Sequence, residues 1–269
     1  VKGSFCLDDE RSWPSEVLSL LNDALPLLKM YSERESQIER AQRGDVLLRI
    51  NPALNEYQFD AEGVSVDVGT LLEGFSVIGW HCARLCDDEV QAIVNSGMYP
   101  LSPESFALRL SNRIARGDID TDAAARFQTE HEVESIHRQM LWFVFDRDCL
   151  RGESGVGRLF TSWGGEALYG SHEEDEQTGP LLRSIGTPCI VEAALPLDVV
   201  SVHARPGEWL MRAFLSQRGV RSLEPPKCDG HIREVIGRDS IRRVISFSDV
   251  AFEELTGASG WTRYPLTGA

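Results

Sequence analysis

The order of its apolar runs constrains this chain more than any other feature. Between residues 13 and 43 apolar side chains recur at helical spacing: Val17, Leu18, Leu21, Leu25, Leu28 and Met30 share a broad face. Ser15 is placed to cap that helix, and Pro26 to kink or divide it. Shorter runs follow. Residues 46–50 and 64–68 read as strands, the second with clean period-two alternation, and 75–85 reads as a buried strand. Asp87 and Asp88 offer an N-cap to a short helix with Val90, Ile93 and Val94 facing inward. Gly97 suits the left-handed position that ends it. Ser102 with Ser105 can cap a helix to about Arg116, and another runs over 121–137. Residues 141–145, 159–163, 187–195, 232–236 and 243–247 read as strands, 166–169 as a helical run, and 209–215 as either. Helices cluster early and strands later, which predicts an α+β fold rather than a regular βαβ alternation. The expected organisation is an N-terminal helical/strand appendage over 1–70 and a catalytic-size domain over 71–269.

With 42% apolar and 26% charged residues, a chain of 269 residues can bury a sizeable core. Its 27 basic residues against 42 acidic ones give a formal charge of −15. A bare phosphate backbone is repelled by such a molecule, because nucleic-acid affinity rests on Lys and Arg neutralising phosphates. Six cysteines (Cys6, Cys82, Cys86, Cys149, Cys189, Cys228) lack CxxC spacing or a disulfide rhythm, which predicts a reducing compartment. No membrane-length apolar run and no signal-peptide pattern is present, so the expected location is cytoplasmic, including delivery into a target cell's cytosol.

Three motifs come close to known chemistry and fail. Gly152 to Leu159 has the glycine spacing of a phosphate-binding loop, but Arg158 stands where lysine must and Leu159 where a metal-binding hydroxyl must. A flexible glycine-rich loop is the better expectation. His131-Glu132 begins like a zinc-protease helix, yet Ser135 occupies the second histidine position. Cys82 and Cys86 flank Arg84 beside His81 without the two further ligands that zinc needs, so no metal is expected. No G-x-S-x-G elbow is present.

Three segments remain. The first runs from Trp80-His81-Cys82-Ala83-Arg84 through the helix after Asp87 to Gly97-Met98-Tyr99-Pro100. The second is Phe160-Thr161-Ser162-Trp163 followed by Gly164 to Tyr169. The third is Gly230-His231-Ile232-Arg233-Glu234-Val235-Ile236, leading into Ile241 to Phe247. Their order resembles the ADP-ribosyltransferase superfamily, in the branch of DNA-targeting ADP-ribosyltransferase toxins and RNA 2′-phosphotransferases. The likeness spans roughly residues 75–250 as sparse anchor points.

The resemblance implies a mixed, mostly antiparallel split β-sheet core and NAD as a substrate. It implies that His81, or Arg84, holds the adenosine ribose or pyrophosphate of NAD. Thr161 and Ser162 match the bracing hydroxyl pair, Tyr169 the nicotinamide-stacking residue, and Glu234 the catalytic carboxylate. Such a carboxylate accelerates the reaction because its hydrogen bond to the ribose strengthens as positive charge develops there. The sequence departs from arginine-directed members, for Ile232 stands two residues before Glu234. A macromolecular acceptor is implied, for a bacterial toxin or effector with a cognate inhibitor or antitoxin, and the −15 charge favours a protein over nucleic acid as that acceptor.

Each residue has a plainer role as well: His81 in the core, Arg84 paired with Asp87 or Asp88, Glu234 facing Arg242 or Arg243. Arg233, Arg238, Arg242 and Arg243 form a local basic cluster near Glu234. A different class of function, an acidic inhibitor binding a basic partner, follows from the −15 charge and the run Glu173-Glu174-Asp175-Glu176. Altered chemistry on the same fold, such as phosphate transfer to NAD, is a third reading.

Overall fold

A computed structural model describes residues 2–135, 139–202, 204–220 and 229–266. In chain order the described residues form β1 (Ser4–Phe5), α1 (Ser15–Asp23), α2 (Leu25–Gly44), α3 (Val46–Ile50) and α4 (Gln58–Leu71). Next come β2 (Ser76–Leu85), α5 (Asp87–Ser96), α6 (Pro103–Arg116), α7 (Thr121–Thr129) and β3 (Leu141–Val144). Then follow α8 (Glu153–Thr161), α9 (Glu166–His172), α10 (Thr178–Ser184), β4 (Thr187–Pro196) and β5 (Ser201–Val202). Last are α11 (Pro206–Gln217), β6 (Asp229–Ile232), β7 (Ile241–Ser246) and α12 (Val250–Thr256). The fold class is α+β, as the order of the runs predicts.

The chain divides into two compact units. One comprises residues 1–77, 196–198 and 202–228; the other comprises 78–195, 199–201 and 229–269. The first unit thus extends past residue 70 to 77, and the stretch carrying α11 returns to it.

In the first unit Pro26 sits in the opening turn of α2, where its missing N–H costs nothing, and divides α1 from α2. Two segments expected as strands are helices. Asp45 caps α3 by accepting from the Leu47 N–H at 2.8 Å, which starts a helical turn where the residues alone favour a strand. In α4 the alternating run over 64–68 also satisfies helical spacing: Ala61, Ser65, Val68 and Leu72 are all buried, four and three residues apart. That face packs on α11. Contact is so close at Gly207 that a Cβ there would lie 1.9 Å from the Ser65 carbonyl oxygen. Val17, Leu21 and Leu28 are also fully buried, and Trp13 meets Phe214 with ring centroids 6.3 Å apart.

In the second unit the strand order is β6-β3-β2-β4-β7. The pairs are antiparallel between β2 and β3 (Trp80 opposite Val144), β3 and β6 (Trp142 opposite His231) and β4 and β7 (Glu192 opposite Arg243). Leu141, Phe143 and Ile232 are buried, whereas the alternate residues Trp142, Val144, Asp229 and His231 are part-exposed, the two-faced pattern of an antiparallel sheet. Gly79 makes room on the buried face, since a Cβ there would stand 2.9 Å from the Phe145 ring. A second core of Phe106, Leu110, Phe127, Trp163, Leu168 and Leu182 joins the helices.

Several local expectations are corrected in this unit. Of the run 159–163, residues 159–161 close helix α8 and Ser162 and Trp163 follow it, because Val156, Gly157 and Phe160 bury one helical face and Gly157 admits the Tyr264 ring. Residues 152–159 therefore begin a helix rather than a flexible loop. Helix α5 starts one residue earlier than Asp87 and Asp88 suggest, with Cys86 at the N-cap position. Its Val90 and Ile93 are only part-buried and Val94 is exposed. The late strand is β6, which ends at Ile232. The helix expected over 121–137 ends at Thr129; of the residues beyond it, 136–138 lie outside those described.

Cysteine usage is also corrected. Cys149 is disulfide-bonded, while Cys6, Cys82, Cys86 and Cys189 lie outside any disulfide. Cys228 lies outside the described residues. Among the described residues no helix is long and apolar enough to cross a membrane.

Candidate functional site

His81 lies on β2, part-exposed, with its ring 5.7 Å from that of Phe143 on β3. Its Nδ1 is 2.8 Å from the Trp142 carbonyl oxygen. A carbonyl only accepts, so Nδ1 carries the proton and Nε2 is left as an acceptor. Burial depresses the imidazole's pKa; the Trp142 carbonyl opposes this, and the positive charge of Arg109 adds to it. The ring is therefore neutral at pH 7.

Glu234 follows the end of β6 by two residues, in an exposed bend rather than on a strand. Its placement is nonetheless defined. The Met98 N–H donates to the Ile236 carbonyl at 2.8 Å and the Ile236 N–H donates back at 2.9 Å, a bridge that fastens the far side of the bend to the residue after α5. Gly97 makes the approach possible. Its φ is +91°, and a Cβ there would fall 2.0 Å from the Ile236 carbonyl oxygen. Its ψ of −166° differs from the left-handed helical value expected for a helix end. The first and third sequence segments are thus brought side by side, through β2, β3 and β6 at one level and through the Met98–Ile236 bridge at another.

The second segment is placed differently. Arg84 is 3% exposed and donates from Nε to the Ile185 carbonyl at 2.7 Å and from Nη1 to the Phe160 carbonyl at 3.4 Å. It tethers β2 to the ends of α8 and α10, where unpaired helix carbonyls attract a cation. Thr161 donates its hydroxyl to the Arg158 carbonyl at 2.9 Å, and Ser162 is 1% exposed at the end of α8. Tyr169 is buried on α9, its hydroxyl 2.9 Å from a Glu166 carboxylate oxygen and its ring centre 3.9 Å from the Arg158 guanidinium. These four residues are occupied with packing and bonding inside the unit, while His81 and Glu234 keep access to solvent.

Sequence reasoning missed the polar cluster beneath α5. Glu89, three residues into the capping position, accepts from the Cys86 N–H at 2.9 Å, from Arg109 Nε at 2.6 Å and from Trp163 Nε1 at 3.0 Å. The Arg109 guanidinium also stands 4.8 Å from the Trp163 ring centre. Burial raises the Glu89 carboxyl, but the Arg109 charge and these donors outweigh it and hold the group below the usual carboxylate range. The legible signal was the glutamate three residues after the helix start; nothing in the spacing links it to Arg109 or Trp163. Next to it, Arg113 on α6 joins Asp88 and Asp118.

The basic cluster is partly neutralised. Arg242 and Arg243 both turn to Glu192, which also accepts from Trp80 Nε1 at 3.3 Å, so neither arginine pairs with Glu234. The acidic run is likewise tied down: Glu173 binds Arg158, and Asp175 binds Arg126 while capping Thr178. Among the described residues no group of three or more His, Cys, Asp and Glu could hold a metal ion. The thiols of Cys82 and Cys86 are pushed up by burial, that of Cys86 to about 12, which leaves them inert at neutral pH. No family model, curated protein or solved structure matches the chain.

Proposed function

We propose that this protein is an NAD-dependent ADP-ribosyltransferase. The observation that carries this reading is that His81 on β2 and Glu234, just past the end of β6, belong to one sheet with β3 between their strands, and that the Met98–Ile236 bridge holds the glutamate-bearing bend to the residues after α5. In the proposed reaction the bond between nicotinamide and the ribose C1′ breaks, nicotinamide leaves with the bonding electron pair, and a nucleophile of the acceptor bonds to C1′ and loses its proton to solvent. Glu234 hydrogen-bonds a ribose hydroxyl as charge develops on the sugar. His81 offers Nε2 as an acceptor to the adenosine ribose. On this reading the β2–β3–β6 ladder is one half of a split sheet of the superfamily's type.

The acceptor is proposed to be a protein, since the −15 charge repels nucleic acid at long range. A toxin or effector acting in a cytosol, with a cognate inhibitor, is the corresponding biological setting. Arg84, Ser162 and Tyr169 support the site from within rather than line it.

The test is incubation of purified protein with NAD labelled in the adenosine portion, with and without cell lysate, following nicotinamide release and label transfer. Activity that falls at least a hundredfold in Glu234→Gln and markedly in His81→Ala supports the assignment. Absence of both nicotinamide release and transfer, or activity unchanged in Glu234→Gln, overturns it.

A further inference from the structure

Helix α4 carries apolar residues on two opposite faces. One face, Ala61, Ser65, Val68 and Leu72, is buried in the first unit. The other, Phe59, Gly63, Val66 and Thr70, repeats the same spacing half a turn round the helix and is exposed, Phe59 to 84% and Val66 to 53%. An apolar stripe on a helix is normally buried against another element. The exposed stripe runs from Phe59 to Thr70, twelve residues, about 16 Å or three turns. At its middle Gly63 has no atom within 4 Å of a would-be Cβ, leaving a notch between Phe59 and Val66. Exposed apolar residues continue on the preceding elements: Val46, Leu47 and Ile50 on α3, and Leu54 at 85% in the connection.

Charge identifies what covers this face. At 100° per residue, Glu62 falls on one flank of the stripe and Asp60 and Asp67 on the other. Helix α4 contains no Lys or Arg, and among the described residues no ion pair involves Asp60, Glu62 or Asp67. Nearby Arg34 is taken by Glu56, and Arg49 donates to the Gln42 and Arg43 carbonyls. A second copy of this chain would set carboxylates against carboxylates across the stripe, which is unfavourable. We infer that the outer face of α4 is a docking surface for an amphipathic helix of a partner protein, its apolar face seated on Phe59 and Val66 and its Lys or Arg flanks meeting Asp60, Glu62 and Asp67. This is helix-on-helix recognition by side chains at i, i+4 and i+7. It does not depend on the NAD reading.

The probe is a synthetic 18-residue Leu/Lys peptide with its leucines at helical period, compared with a scrambled peptide of identical composition. Titration of the full chain at near-physiological salt is expected to show binding of the patterned peptide at least tenfold tighter than the scramble. Hydrogen-exchange protection on binding should centre on 58–71. Phe59→Ser with Val66→Ser should weaken binding at least tenfold with unchanged thermal unfolding, since both side chains are exposed. Asp60→Asn with Glu62→Gln and Asp67→Asn should flatten its salt dependence while leaving the apolar stripe intact. Equal binding of the two peptides, no binding, or protection centred elsewhere overturns the inference. So does self-association in sedimentation that Phe59→Ser abolishes, because the occupant would then be a second copy.

Discussion

Gly97 shows how one residue without a side chain can hold a site together. Its positive φ and the 2.0 Å approach to the Ile236 carbonyl leave no room for a Cβ. Gly97→Ala should therefore break the Met98–Ile236 bridge and cost roughly 3 kcal/mol, the sum of backbone strain and displacement. Urea unfolding measures the loss, and any activity on NAD should fall with it as Glu234 drifts from β6. His81 supplies a pH signature. Its folded-state pKa lies below the unfolded value of about 6.5, so the unfolded chain binds the extra proton first and stability declines as pH falls below that point. His81→Asn should show a shallower decline between neutral pH and pH 5 in thermal unfolding followed across that range. The glycine was legible in the sequence as a helix terminator. Its closer purpose was not, because the partner carbonyl lies far along the chain.

At the scale of elements, helices whose face pattern was unbroken were readable and those competing with strand preference were not. The Ser102–Ser105 capping pair is present as reciprocal bonds of 3.1 and 2.9 Å, a local arrangement that four residues specify by themselves. Residues 64–68 alternate and 159–163 are rich in strand-forming types, yet 64–68 and 159–161 are helical because a distant surface rewards the helical face. For α4 that surface is α11. For α8 it includes Tyr264, which lies against Gly157. Gly207→Ala should force α4 and α11 apart and destabilise the first unit by about 2–3 kcal/mol, as overpacked contacts do. Limited proteolysis should then cut within 58–71 before any other helix. Gly69→Ala, whose Cβ would meet only an atom at 3.9 Å, should be tolerated far better.

For the molecule as a whole, the candidate site divides in the same way. His81 and Glu234 are proposed from residue type and order; Glu89, Arg109 and Trp163 meet only through folding, and no spacing rule joins them. The charge balance was plain in the composition, but its distribution was not. Two members of the acidic run at 173–176, Glu173 and Asp175, are stitched to arginines, while among the described residues no ion pair involves Asp60, Glu62 or Asp67 of α4. Cysteine chemistry offers a direct check on the whole chain. Alkylation of the unfolded, unreduced protein should modify Cys6, Cys82, Cys86 and Cys189 and leave Cys149 unmodified until a reductant is added. Peptide mass mapping reads the difference, and modification of Cys149 without reductant would remove the disulfide from the picture.

The pairing of α4 with α11 also bears on how the protein is made. Their contact joins segments about 140 residues apart, so a ribosome adding roughly 5–20 residues per second leaves α4 with only α1 and α2 to pack on for on the order of ten seconds. Throughout that interval the surface that α11 will cover and the outer stripe are both open on the nascent chain. A fragment stopped after β2 would keep them open permanently, and would be a chaperone's client rather than a folded domain.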